Sequence, residues 1–177
     1  MKLLEGKTAI ITGASRGIGK GVATVFAEHG ANVAFTYSAS VDAAKALEAE
    51  LQEHGTTIKG YQSNAANFDD SQKLIDEVLN DFGSIDILIN NAGIADGRWQ
   101  SISEIDMEYA LDVLHVNSIA PVLVTQKLLS KLNNDSTVVM MSSLMGSISD
   151  CKSGRSYAYR ASKTALNMFS MAMKNEL

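Results

Sequence analysis

Apolar and polar positions along this chain switch between two periods. Thr8-Ala9-Ile10-Ile11 is a short, largely β-branched apolar run; Val22, Ala23, Val25, Phe26 and Ala27 then recur at helical spacing up to Gly30. The same exchange repeats downstream. The pattern predicts strands at 7–12, 32–37, 57–62, 85–90 and 137–142. Helices fit 18–29, 41–54, 68–82, 104–131 with a break, and 157–177. Ser40 and Asn67 stand where N-caps belong, and Gly30, Gly55 and Gly83 where helices stop. Pro121 removes a backbone donor inside the 104–131 stretch, so two helical pieces are expected there rather than one. Strands alternating with helices imply βαβ units. The fold class is therefore α/β, a doubly wound parallel sheet with helices on both faces, in a single domain over 1–177.

Composition changes this picture little. The 177 residues suffice to bury a core, and the net charge of −5 argues against nucleic acid as the main partner. One cysteine, Cys151, excludes an internal disulfide and a multi-cysteine metal site, and His29, His54 and His115 lack ligand spacing. No metal is expected. The N-terminal residues lack the apolar run of a signal peptide, and no stretch approaches membrane-spanning length, so a cytoplasmic location is the expectation.

Two motifs carry chemistry. The first is Thr12-Gly13-Ala14-Ser15-Arg16-Gly17-Ile18-Gly19, set between the first strand and the first helix. Glycines there permit a tight turn and close approach of the backbone to a pyrophosphate, whose charge meets N–H groups at the helix start. The second is Ser156-Tyr157-Ala158-Tyr159-Arg160-Ala161-Ser162-Lys163. Tyr159 and Lys163 are four apart and share one helix face, whereas the i+4 neighbour of Tyr157 is Ala161. A cation beside a phenol favours the phenolate, which makes a tyrosine usable as a general acid/base near neutral pH.

Together the motifs resemble the short-chain dehydrogenase/reductase family. Its pattern appears in order: Gly13, Gly17 and Gly19; Asn90-Asn91-Ala92-Gly93; Asn117; Ser143; Tyr159 and Lys163. The resemblance implies a Rossmann-like fold and hydride transfer between a nicotinamide cofactor and a carbonyl or alcohol. It implies cofactor contacts from Thr12, Gly13, Ser15, Arg16, Gly17, Ile18, Gly19, Asn91, Ala92, Gly93, Tyr159 and Lys163, with Asn64 and Ala65 beside the adenine. Asn64 stands where the family commonly has an aspartate. Catalysis falls to Tyr159 as proton donor, Ser143 as hydrogen-bond donor to the carbonyl oxygen, Lys163 as partner of tyrosine and ribose, and Asn117 as holder of a relay water. Ser142 is a rival to Ser143; strand alternation would keep both from facing one site.

Charge argues for NADPH. The second strand ends Phe35-Thr36-Tyr37-Ser38, without the carboxylate that holds ribose hydroxyls in NAD sites, and Arg16 can pair with a 2′-phosphate. In the family, a basic residue at the position of Arg16 goes with NADP preference.

The substrate is read from two resemblances. Up to about Gly93 the chain is similar to bacterial 3-oxoacyl-(acyl-carrier-protein) reductases; from Ser142 onward it looks more like C-signal- and sniffer-type carbonyl reductases. A divergent lineage and a mosaic joined near Gly93–Gly97 both fit. An acyl-thioester or small carbonyl substrate is expected, with an acyl carrier protein as a candidate partner and Arg98, Lys152 and Arg155 as candidate contacts. A non-catalytic nucleotide-binding protein is the alternative class. Family members continue past this chain's last helix into two more strands, so the sequence is expected to be partial, its fifth strand an open edge. Dimers or tetramers are implied through the 104–131 and 157–177 stretches, where Met107, Met168, Met171 and Met173 could form a pliable surface; Trp99 is a candidate for the pocket mouth.

Overall fold

The computed structural model describes residues 1–65, 67–95 and 100–177. They form two compact units: Met1–Ala92 with Val124–Val139, and Gly93–Leu123 with Met140–Leu177.

The first unit is built on a parallel five-stranded sheet. Its strands are β1 (Thr8–Ile11), β2 (Asn32–Tyr37), β3 (Ile58–Gln62), β4 (Ile87–Asn90) and β5 (Thr137–Met140), in the order β3-β2-β1-β4-β5. Every residue of the central β1 is buried, as a parallel strand covered on both faces requires. In β3, at the sheet's edge, buried Ile58 and Tyr61 are interspersed with more exposed positions. Register is fixed by Ile10 against Ala34 on one side and Leu88 on the other.

Helices α1 (Gly17–Glu28), α2 (Val41–Gln52) and α3 (Phe68–Phe82) follow the first three strands. From α3, Leu74, Ile75 and Val78 pack with Ile10, Ala34 and Leu88, joined by Val124 and Leu128 from α5 (Ala120–Leu128). Each fully buried Leu or Ile contributes about 2 kcal/mol of apolar transfer. On α1 the buried side is small, Gly19, Ala23 and Ala27, which lets helix and sheet approach closely.

The glycines stop helices as their spacing implied. Gly30, Gly55 and Gly83 all take positive φ, between 76° and 88°. Asn67 caps α3 by accepting from the Asp69 N–H, whereas Ser40 precedes α2 without a side-chain cap bond. Strand ends differ from the sequence reading: β4 starts at Ile87 and β5 stops at Met140. Ser142 and Ser143 therefore lie beyond the strand, and alternation does not separate them.

The second unit holds α4 (Met107–Leu114), the start of α5 and α6 (Tyr157–Glu176). Ala110, Val113 and Ala158 form its core, with Ile94, Ile105, Tyr109 and Tyr159 against it. The expected break within 104–131 takes a different form. A π-helical turn, His115–Ile119, joins α4 to α5 with no non-helical residue between them. Pro121 is the second residue of α5, directly after the π segment, and contributes no N–H to the continuous helix there. The wider turn absorbs the irregularity that the proline signalled, and Asn117 sits at its centre. Before α6, Arg155 and Ser156 both adopt left-handed φ, 73° and 51°. Two such non-glycine residues cost about 1 kcal/mol each. Arg160 holds the strained turn by donating to the Arg155 carbonyl at 3.2 Å and to Ser153 Oγ at 3.0 Å.

Candidate active site

In the first unit the turn from β1 into α1 is organised by Thr12. Its hydroxyl oxygen accepts from the N–H groups of Asn91 and Ala92, both at 2.9 Å, and Asn91 Nδ2 donates back to the carbonyls of Thr12 and Gly13. The Gly13 N–H donates to Thr36 Oγ1 at 3.0 Å, tying the turn to β2.

The three glycines of the turn have two different jobs. A Cβ on Gly13 (φ 64°) would lie 2.8 Å from Ala92 Cα; one on Gly19 would lie 2.5 Å from Asn91 Nδ2 and 2.7 Å from the Gly13 carbonyl. Both are packing requirements. A Cβ on Gly17 (φ 60°) would meet nothing within 4 Å, so the open face there is solvent, with space for a ligand. The first turn of α1 carries no acidic residue, and Arg16 and Ile18 are exposed beside it. An anion could reach the N–H groups of that turn without meeting a carboxylate on it. These residues fit a dinucleotide pyrophosphate. Asn64 and Ala65 follow β3; the Asn64 N–H donates to Asp70 Oδ2 at 2.8 Å.

The second unit brings Asn117, Tyr159 and Lys163 together with Gly93. The fully buried Asn117 accepts from the Ile94 N–H and donates to the Ile94 carbonyl, each at 2.8 Å, and also donates to Ser162 Oγ at 3.1 Å. Its side chain is thus occupied by protein. A Cβ on Gly93 would lie 3.2 Å from Asn117 Oδ1, a tight contact, and 3.8 Å from Lys163 Nζ, an ordinary one. Lys163 is 5% exposed, its ammonium donates to the Met141 carbonyl at 2.8 Å, and it stands 5.8 Å from the centre of the half-buried Tyr159 ring. Among the described residues no carboxylate pairs with it; burial alone lowers its pKa below the ordinary lysine value.

The serines differ in their commitments. Ser142 Oγ donates to Asn167 Oδ1 at 2.6 Å. Ser143 Oγ accepts from the Met145 N–H at 3.2 Å, which orients one lone pair inward and leaves its proton available to another acceptor.

Sequence reasoning missed several supports. Thr36, Ile94, Ser162 and Asn167 each bond a candidate residue or a residue beside one. Ser162 and Asn167 had a readable signal, since they lie three residues after Tyr159 and four after Lys163 on one helix. Thr36 and Ile94 had none, because their contacts depend on how the chain returns. Arg98, Trp99 and the Gly97 end of the supposed join lie outside the described residues.

Comparison with known proteins agrees with this architecture. A family model described as short chain dehydrogenase matches residues 7–177. An uncharacterized oxidoreductase of Methylorubrum extorquens is 30% identical over 177 residues, covering 100% of this chain and 69% of that protein. The 3-oxoacyl-[acyl-carrier-protein] reductase of Staphylococcus epidermidis is 47% identical over 88 residues, 50% of this chain and 36% of the reductase. The crystal structure of a short-chain dehydrogenase from Burkholderia cenocepacia in complex with NADP superposes with TM-score 0.92 at 32% identity, covering 98% of this chain and 69% of that one. The chain belongs to the short-chain dehydrogenase/reductase family of NAD(P)-dependent oxidoreductases. Among the described residues, no helix is long and apolar enough to cross a membrane.

Proposed function

We propose that the protein carrying this chain is an NADPH-dependent reductase that converts a carbonyl to an alcohol, with a 3-oxoacyl thioester as substrate. The observation that carries the reading is the buried Lys163 ammonium, bonded to a neutral carbonyl and held 5.8 Å from the Tyr159 ring one helical turn earlier. A cation kept out of water without a carboxylate is costly, and such groups cluster at sites where they serve chemistry.

Bound NADPH supplies the hydride to the carbonyl carbon. Tyr159 gives its proton to the carbonyl oxygen, and Lys163 stabilises the negative charge left on the phenol oxygen. Ser143 donates a hydrogen bond to the oxygen as charge grows there. Asn117 holds the π turn and the Ile94 backbone in place; a relay water would be held by groups of that turn, since its carboxamide is engaged. Thr12, Gly13, Ser15, Arg16, Gly17, Ile18 and Gly19 are assigned to the pyrophosphate, Asn91, Ala92 and Gly93 to further cofactor contacts, and Asn64 and Ala65 to the adenine.

Preference for NADPH is supported by exposed Arg16, by the absence of a carboxylate at the end of β2, and by the NADP bound to the Burkholderia relative. The acyl-thioester reading is supported by the 88-residue match to an acyl-carrier-protein reductase. Exposed Lys152 and Arg155 are the described candidates for meeting an acidic carrier, and exposed Met107, Met168 and Met171 for self-association. A single catalytic domain in the cytoplasm completes the reading.

The test is NADPH consumption by the full protein with acetoacetyl thioesters, aldehydes and diketones, beside Tyr159→Phe. Turnover fastest with the thioester and about a hundredfold or more lower in the variant is expected. Equal turnover in the variant would remove Tyr159 from the mechanism, and a preference for diketones would move the substrate to the small-carbonyl class.

A further inference from the structure

Three residues of α6 grip the segment on either side of Ser143. Lys163 Nζ donates to the Met141 carbonyl at 2.8 Å, just before the serine pair. After it, the Gly146 carbonyl accepts from Thr164 Oγ1 at 3.0 Å and from Asn167 Nδ2 at 3.3 Å. Asn167 also accepts from Ser142 Oγ at 2.6 Å, so one carboxamide spans the segment from Ser142 to Gly146. The fit against α6 is tight: a Cβ on Gly146 would lie 2.8 Å from the Lys163 carbonyl carbon and 3.0 Å from Asn167 Nδ2. Between these anchors, Ser143 begins a 3₁₀ turn, Leu144–Gly146, and accepts the Met145 N–H. Nothing else in the described residues bonds the Ser143 hydroxyl, so its aim depends on how that short turn is held.

We infer that Asn167 is a positioning residue for Ser143. By clamping the Ser142 hydroxyl with its oxygen and the Gly146 carbonyl with its nitrogen, it fixes the turn that keeps one Ser143 lone pair on the Met145 N–H and its proton directed outward. The same bond takes Ser142 out of contention, since a hydroxyl donating to Asn167 has no proton for a substrate. The inference rests on Ser143 being the donor to the carbonyl oxygen. Asn167 itself is exposed, so its replacement removes a clamp without opening a core.

The experiment is a double-mutant cycle in the full protein, with NADPH and the carbonyl probes named above. Asn167→Ala is expected to lower kcat about three- to tenfold, with KM for NADPH within about twofold. In the Ser143→Ala background it is expected to change kcat by less than about twofold, because its effect passes through that hydroxyl. A readout independent of substrate accompanies it: amide exchange at Met145 and Gly146 should quicken in Asn167→Ala while α6 stays protected. A full loss of kcat persisting without Ser143, or exchange at Met145 and Gly146 unaltered, overturns the inference while leaving the Ser143 reading intact. Undiminished turnover in Ser143→Ala alone removes the Ser143 reading, and the inference falls with it.

Discussion

The carboxamide of Asn117 closes two hydrogen bonds on the backbone of Ile94, accepting from its N–H and donating to its carbonyl at 2.8 Å each. A π turn presents this side chain, and nothing about it is exposed. Asn117→Leu keeps the branching of the side chain, adds bulk, and strands both Ile94 groups, whereas Ser162 keeps its bond to the Tyr159 carbonyl. Unfolding in urea is expected to show a loss of about 3 kcal/mol, with turnover falling at least about tenfold. A variant as stable as the parent would show that these bonds are replaced by water.

Gly19 and Gly17 should separate packing from binding. Gly19→Ala drives a methyl group into Asn91 Nδ2 and the Gly13 carbonyl, and is expected to cost about 2 kcal/mol of stability. Gly17→Ala has room for its methyl group and pays only for its positive φ, about 1 kcal/mol. Its methyl group nevertheless occupies the face proposed for the pyrophosphate. NADPH affinity, followed by fluorescence titration, should fall about tenfold or more in Gly17→Ala although the fold is nearly unaffected. Unweakened binding there would place the pyrophosphate elsewhere.

Burial lowers the Lys163 pKa, so the folded protein releases this proton at lower pH than the unfolded chain, whose lysines hold theirs to about 10.4. Between the lowered value and about 10.4 the unfolded chain binds more protons, and stability from this residue rises with pH. Lys163→Met lacks the titration. Unfolding free energies measured from about pH 7 to about pH 10 should show the parent gaining on the variant. Parallel profiles would contradict the burial effect.

Tyr61 should act in the opposite sense. Burial, and next the Asp81 carboxylate that accepts its hydroxyl at 2.6 Å, raise its pKa well above the ordinary value of about 10. Its contribution is therefore complete below about pH 10 and is lost as pH climbs through the raised value. Tyr61→Phe is expected to cost about 1 kcal/mol near neutrality. That difference should shrink in alkaline solution; a gap that is constant with pH would show that the bond is not titrating.

Much of the fold was legible because each element announces itself locally. The fully buried β1 reads as a continuous apolar run, and the glycines at 30, 55 and 83 mark helix ends because only glycine takes their positive φ without strain. The glycine turn and the Tyr159–Lys163 spacing were equally visible, being set by backbone geometry over a few residues. The form of the 104–131 irregularity was less so. Pro121 signals that a helix is disturbed, but whether the chain breaks or widens into a π turn depends on what Asn117 can bond, and Ile94 is remote in sequence.

The sequence by itself determined the strand–helix alternation, the family motifs and the candidate residues, since these follow from side-chain period and short-range spacing. Only the tertiary structure decided how the two serines differ, why Gly146 cannot carry a Cβ, and that Lys163 is buried against a carbonyl. Those facts arise where distant segments meet: hydrogen-bond partners and excluded volume belong to pairs of surfaces, and no local pattern encodes both members of a pair.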